Sequence, residues 1–308
     1  VAASARIVVS RVVTKRPLRV LREEGQEPLV SADERIGVLD PSSELDALVA
    51  LLDRAYGPGP RRARVLRMLA VDPTCVIVLR EGGEIRACST FVAYPDGGFG
   101  WVGLVATLPE HERRGLGRRL TEAAIAALKA RGCAPVLDAS DKGAPLYPRM
   151  GFHDAGLART LVADDPDATL ERARKKTARR ASAASIEEVA HLDREAFGAD
   201  RSALLAVMHA RLAVRDALGA VTGFLCLHEG AIGPVVARDA ETLHALVASL
   251  PELASGASIS VPPETESLDA WKDLGFREVR TLRHMRRELA VLPGHRAWLA
   301  AMASYAEG

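Results

Sequence analysis

The stretch Leu108-Pro-Glu-His-Glu-Arg-Arg-Gly-Leu-Gly-Arg-Arg-Leu120 decides how the rest of the chain is read. It follows a branched apolar run over 99–107, the pattern of a strand, which ends at Pro109. It leads into residues 116–131, where Leu116, Leu120, Ala124, Ala127 and Leu128 recur along one side of a helix that Gly132 stops. Gly115 and Gly117 remove side chains at the turn, so the backbone can approach a ligand closely. The first amides of the following helix, with the positive end of its dipole, face the same place. The spacing predicts an anion cradle. Arg113, Arg114, Arg118 and Arg119 add positive charge suited to a pyrophosphate. A dinucleotide fingerprint would need a third glycine where Leu120 stands, and a P-loop would need Gly-Lys-Ser or Gly-Lys-Thr after a longer gap. Taken alone, the glycine pair also fits a plain strand-to-helix turn.

Upstream, residues 41–53 read as a helix: apolar positions 45, 48, 49, 51 and 52 follow Ser42 and Ser43 as caps, with Glu44 and Asp46 in the first turn. Tyr56-Gly-Pro-Gly-Pro60 breaks it, residues 61–70 form a second helix, and Asp72-Pro73 closes that one. Strands over 74–80 and 85–93 flank Glu81-Gly-Gly-Glu84, a hairpin whose glycines supply positive φ. Downstream, residues 135–139 form a short strand and 144–150 a short helix, and Gly151-Phe152 opens another strand.

A length of 308 residues exceeds one ordinary core and fits two domains. With 41 Lys and Arg against 40 Asp and Glu, the net charge of +1 makes no case for nucleic acid. The hydrophobic content of 48% excludes disorder as the general state. The longest apolar runs, at 75–79 and 297–303, fall far short of the ~20 residues of a bilayer span, so no membrane partner is expected. A branched run at 6–14 reads as a strand in an N-terminal arm over 1–30 without a signal-peptide core, and the expected location is cytoplasmic. Cys75, Cys88, Cys133 and Cys226 have neither metal nor disulfide spacing; buried, reduced thiols and no metal are expected. An acidic, proline-containing stretch at 164–167 followed by a cation-rich run at 171–180 marks a boundary, read as a solvated linker or helix face over 164–184.

Beyond that boundary the outline repeats. Ala231-Ile-Gly-Pro-Val-Val-Ala237 parallels Trp101-Val-Gly-Leu-Val-Ala106, and Trp271-Lys-Asp-Leu-Gly-Phe276 parallels Tyr147-Pro-Arg-Met-Gly-Phe152. The offsets, 130 and 124 residues, are close enough to indicate a duplicated fold over 31–163 and 185–308.

The ordered series of strand, Arg-rich glycine turn, helix, short strand and a Tyr four residues before Gly-Phe resembles the GNAT acyltransferase family. Leu137-Asp-Ala-Ser140 and Gly143-Ala-Pro-Leu-Tyr147 resemble a tandem subgroup with an intact first copy and a degenerate second one. The resemblance implies an α/β fold, a mixed and largely antiparallel central sheet flanked by helices, in two tandem domains. It also implies acetyl-CoA, or another acyl-CoA, as co-substrate. Backbone groups of Val105, Ala106 and Thr107 would line the pantetheine arm, and the amides of Arg113, Arg114, Gly115, Leu116, Gly117 and Arg118 would hold the pyrophosphate. A small-molecule amine would attack the thioester, a backbone amide of the third strand would steady the oxyanion, and Tyr147 would protonate the leaving thiolate. The second copy, with Trp271 at the Tyr position and no glycine turn, would wall the acceptor site. A monomer or homodimer is expected.

The first position of the phosphate motif is Glu112, an anion that repels phosphate unless it turns to Arg113 or solvent. The third strand has no carboxylate to serve as base. Asp138 is the foremost candidate, with Asp141 and His111 nearby. Two other readings follow from these departures: a non-catalytic CoA-binding or regulatory module, and altered thioester chemistry such as carrier-protein transfer or decarboxylation.

Overall fold

The computed structural model describes residues 33–208, 210–228 and 231–308, so the run at 6–14 lies outside the described residues. Strand β1 (Glu34–Val38) leads to helix α1 (Pro41–Tyr56), which Asp40 caps by accepting a bond from the Ser42 amide at 3.0 Å. The helix runs past the expected end to Tyr56, where Gly57 takes φ of 80°. Its Leu45, Leu48, Leu51 and Leu52 face inward. Helix α2 (Arg61–Val71) follows, then the hairpin β2 (Val76–Glu81) and β3 (Glu84–Tyr94), closed by Gly82 and Gly83 at φ of 61° and 80°. Next come β4 (Phe99–Thr107), α3 (Leu116–Lys129), β5 (Ala134–Ala139) and β6 (His153–Ala163). The expected helix over 144–150 shortens to a 3-10 turn at Tyr147–Met150, because Pro145 and Pro148 remove the amides a full helix needs.

Helix α4 (Pro166–Lys176) occupies the segment read as a solvated linker or helix face, and the solvated reading is corrected on one side. Its charged face is wet, but Thr169, Leu170 and Ala173 are buried, and Leu170 and Ala173 belong to the second core. The second copy continues through β7 (Ser182–Ala183), α5 (Ile186–Phe197), α6 (Ser202–Ala206), β8 (Ala210–Arg215), β9 (Val221–His228) and β10 (Ala231–Ala237). It closes with α7 (Ala240–Ala248), β11 (Ser258–Val261), α8 (Leu268–Asp273), β12 (Phe276–Arg286) and β13 (Leu299–Ala301).

The two copies exchange strands. One sheet runs β1-β2-β3-β4-β5-β12-β6-β11, the other β13-β10-β9-β8-β7. Thus β12, from the second copy, lies between β5 and β6 of the first, while β6 lies between β12 and β11 of the second. Both exchanged strands follow a Gly-Phe pair, Gly151-Phe152 and Gly275-Phe276, so each copy lends the other its equivalent strand. The split at 163/185 therefore describes the chain order and not two separable cores. Met285 of β12 is packed with Leu116 of α3 and Tyr147, and Leu161 of β6 with Trp271 and Phe276.

Candidate active site

Strands β4 and β5 run parallel and pair only from Phe99↔Ala134 to Val102↔Leu137. Beyond Val102, β4 stays on β3 as far as Ala87↔Thr107, whereas β5 turns to β12 through His284↔Asp138 and Arg283↔Ala139. The strands part and leave a wedge between residues 103–107 and 138–139. A bulge in β4 between the pairs Thr90↔Gly103 and Cys88↔Ala106 sets both Leu104 and Val105 against Ser89, with Leu104 at φ of 44°. Beside it the Ser89 Oγ and Thr90 Oγ1 atoms are buried without a hydrogen-bond partner.

At the end of β4 the turn into α3 holds both glycines of the sequence motif. Gly115 is the N-cap of α3 at φ of 78° and makes no side-chain cap bond, and Arg113 also has positive φ, 62°. First-turn amides have no partner within a helix, so those of 116–118 point out of the turn. A Cβ on Gly117 would lie 3.7 Å from Val105 Cγ1 and 3.8 Å from Thr107 Oγ1, which places this glycine directly over the end of β4. The arginine side chains need correction. Arg114 is held by Glu81 and Glu34 and Arg119 by Glu34, so these two brace the turn, while Arg118 pairs with Glu122 along α3. Arg113 is exposed with no carboxylate partner among the described residues.

Tyr147, in the 3-10 turn, packs edge-on against Phe152 with ring centroids 5.8 Å apart, and burial pushes its hydroxyl pKa up to about 12. From the other face, Tyr56 at the end of α1 donates its hydroxyl to the Val105 carbonyl at 2.6 Å. The ring edge stays open, the residue being 43% exposed, but the hydroxyl is sunk against β4, and burial, then Cys88 and Tyr147, raise its pKa. Tyr147 thus belongs to the core under α3, while Tyr56 reaches β4 directly.

The acetyltransferase (GNAT) family model matches residues 45–152, and a GNAT acetyltransferase domain model matches residues 189–299. The chain belongs to the GNAT acetyltransferase family, with two domains in tandem. The uncharacterised N-acetyltransferase YitH of Bacillus subtilis is 29% identical over 213 residues, covering 64% of this chain and 72% of that protein. A putative acetyltransferase from Pyrococcus horikoshii superposes with a TM-score of 0.77 at 21% identity, over 93% of this chain and 100% of that one. A GCN5-related N-acetyltransferase from Sphaerobacter thermophilus gives 0.56 at 14% identity, over 86% and 98%. These likenesses to solved structures establish the GNAT fold over nearly the whole chain.

In this GNAT protein the Asp138 side chain is sealed away from the wedge that its backbone borders. Its side chain has no exposed surface; Oδ2 accepts from Trp101 Nε1 at 2.9 Å, and Oδ1 lies 2.9 Å from His284 Nδ1. Arg286 Nε donates to His284 Nε2 at 3.1 Å, and Arg286 in turn pairs with Glu264. An arginine can only donate, so Nε2 is the acceptor and Nδ1 carries the proton given to Asp138. The reading of Asp138 as a base is therefore corrected: the carboxylate is consumed by a buried network that joins β5 to β12. His111 bonds Arg114 at 2.7 Å and is part of the turn's bracing. Glu112 turns to Lys142, at 2.6 Å, and not to Arg113.

Tyr56, His284 and the segment 303–308 were invisible as site elements in the sequence. Tyr56 read as part of a helix-breaking stretch, and no local signal places β12 or the last residues beside the first copy. Ala306 fits against Gly103, where a Cβ would come within 2.5 Å of the Ala306 Cβ. The segment is tied down by Glu307, whose carboxylate forms a buried ion pair with Arg67 at 2.8 Å. All four cysteines are buried and unpaired. Among the described residues no helix is long and apolar enough to cross a membrane, and no His, Cys, Asp and Glu side chains gather into a metal site.

Proposed function

We propose that the chain is an acetyl-CoA-dependent N-acetyltransferase whose first domain moves an acetyl group directly to the amine of a small, amino-acid-like acceptor. The carrying observation is the unpaired edge of β4 beyond Val102, leading straight to a helix start without a side-chain cap. A pantetheine arm can add to such an edge as a pseudo-strand, and a diphosphate suits amides that no side chain occupies. Arg113 supplies the free positive charge, and the Glu112–Lys142 pair offsets the carboxylate that would oppose it. When bound, acetyl-CoA supplies an activated thioester.

In the transfer an N–C bond forms, the C–S bond breaks, the amine loses a proton to water and the sulfur takes one. Tyr147 is the proposed donor. Its raised pKa keeps the phenol protonated at any physiological pH, and makes it a weaker acid than in water. Donation must therefore accompany C–S cleavage, since sulfur becomes basic only as it departs. Water serves as the base, because β4 has no carboxylate and Asp138 is sealed.

The test is thiol release with acetyl-CoA and a panel of amines, alongside melting in the presence of acetyl-CoA. Tyr147→Phe is expected to keep the stabilisation by acetyl-CoA and to slow turnover about a hundredfold. An unchanged rate would remove Tyr147 from the chemistry; no stabilisation of the unsubstituted protein by acetyl-CoA would overturn the whole reading.

A further inference from the structure

The ribbon formed by β6 and β12 carries five arginines, and four have acidic partners. Arg159 pairs with Glu278 at 3.3 Å, Arg277 with Asp164 at 2.8 Å, Arg283 with Asp154 at 3.4 Å and Arg286 with Glu264. Arg280 is exposed and has none among the described residues. Its Cα lies opposite that of Thr160, and directly opposed residues of an antiparallel pair present their side chains on one face. Thr160 Oγ1 lies 2.8 Å from the Tyr305 hydroxyl, so Arg280 stands on the face covered by segment 303–308.

That face borders the wedge. Tyr305 adjoins Ala306, which abuts Gly103, the first β4 residue beyond the pairing with β5; Tyr56 bonds the carbonyl two residues on. Burial raises the pKa of both phenols, and the Arg280 guanidinium is near enough to each to pull the other way. The cradle lies on the opposite face: Leu116 and Leu120 of α3 pack with Tyr147 and Met285, whereas Trp101, Val136, Ala158 and Ala306 form the other core. The anion that Arg280 would meet is consequently not a coenzyme phosphate.

We propose that Arg280, supplied by the second copy, is the specificity residue for the acceptor and pairs with a carboxylate on the amine substrate, so that the acceptor is a free amino acid or a close analogue. One unpaired guanidinium beside the Thr160–Tyr305 pair balances one negative charge, and its planar fork matches a carboxylate in two-point contact. A polyamine or other cationic acceptor is disfavoured by the same charge. The inference rests on the amine-acceptor reading above and names the class of that acceptor.

The test compares free amino acids with their carboxamides across a panel of side chains. Thiol release gives kcat/KM for the amines, and calorimetric titration of the N-acetyl amino acids and N-acetyl amino amides measures affinity without turnover. The expected preference for acid over amide is about tenfold or more. Arg280→Ala should erase it, Arg280→Glu should invert it, and both should leave the KM for acetyl-CoA and the stabilisation by acetyl-CoA unchanged. Arg280 is exposed, so these variants should fold, which their melting in acetyl-CoA confirms. Equal use and binding of acids and amides, or a preference that survives Arg280→Ala, overturns the proposal. If no amine releases thiol, the transfer reading fails by itself, and the titrations alone decide the role of Arg280.

Discussion

The two domains carry equivalent wedges that differ at each point proposed to touch a coenzyme. Beyond Val102, β4 of the first domain has an unpaired edge, while its counterpart β10 pairs with β13 through Val235↔Ala301 and Val236↔Leu299, and Met302 bridges to Ser260 of β11. The chain's own strand fills the second wedge. At the helix start, Gly115 offers no side-chain cap, whereas Asp239 accepts from the Thr242 amide at 2.7 Å, putting a carboxylate where the first domain leaves amides free. Where Tyr147 stands in the first domain, Trp271 donates its indole Nε1 to the Ala300 carbonyl of β13 at 2.8 Å. The second domain is thus the first with each proposed ligand contact replaced by an internal one. The filled copy also contributes β12 and segment 303–308 to the first, which is reason for a degenerate domain to stay folded.

The largest effect should come from giving the first wedge a feature of the second. Gly115→Asp places a carboxylate at the N-cap of α3, from a left-handed φ of 78° where Asp239 is extended at −156°; Asp tolerates left-handed φ better than most residues, at a cost of about 1 kcal/mol. Stabilisation by acetyl-CoA should vanish, while the melting temperature without ligand should move by only a few degrees. A retained shift would mean that the diphosphate is held elsewhere than at the amides of 113–118, and the contrast between the two helix starts would lose its meaning.

The first wedge was largely legible because its signals are local. Gly115 and Gly117, the Gly82-Gly83 hairpin and the periodicity of α3 each act over a few residues, and β4 occupies the very residues expected, 99–107. What could not be read depends on long-range exchange. Nothing in the sequence of 276–286 says which sheet it joins, so the burial of Asp138 against His284, 146 residues away, had no signature. The cation-rich run at 171–180 misled for the opposite reason: charge counts are dominated by the wet face of α4, while Leu170 and Ala173 carry its burial.

Asp138→Asn tests that correction with a middle-sized effect. An amide in this place offers one oxygen and one NH2 to Trp101 Nε1 and His284 Nδ1. If its NH2 faces His284, the imidazole proton must move to Nε2, where Arg286 Nε already donates. One donor then faces another, and the expected loss of stability is about 1–3 kcal/mol, read from denaturant unfolding. Turnover should change less than threefold in protein that remains folded, with an unaltered pH profile. A general base would instead lose about two orders of magnitude or more, with a shifted acid limb. Such a loss would restore Asp138 to the chemistry and make its sealed position an unliganded arrangement.

The smallest effect concerns Glu112, the departure that argued against coenzyme binding. Its side chain is 33% exposed and pairs with Lys142, linking the turn before α3 to the loop after β5. Removing the cation by Lys142→Ala leaves an anion beside the phosphate path. For unit charges roughly 6 Å apart in water the repulsion is about 0.7 kcal/mol, and a diphosphate carries more than one charge. Affinity for acetyl-CoA should therefore fall about threefold to tenfold at low salt, and the loss should shrink as salt rises. Glu112→Gln in the same background should recover it, since no charge then needs offsetting, whereas Glu112→Gln alone should bind at least as tightly as the parent. A loss that ignores salt, or that persists in the double variant, would mean that Lys142 contacts the coenzyme itself. The open wedge would then owe its affinity to a side chain the closed wedge lacks, as well as to its freed amides.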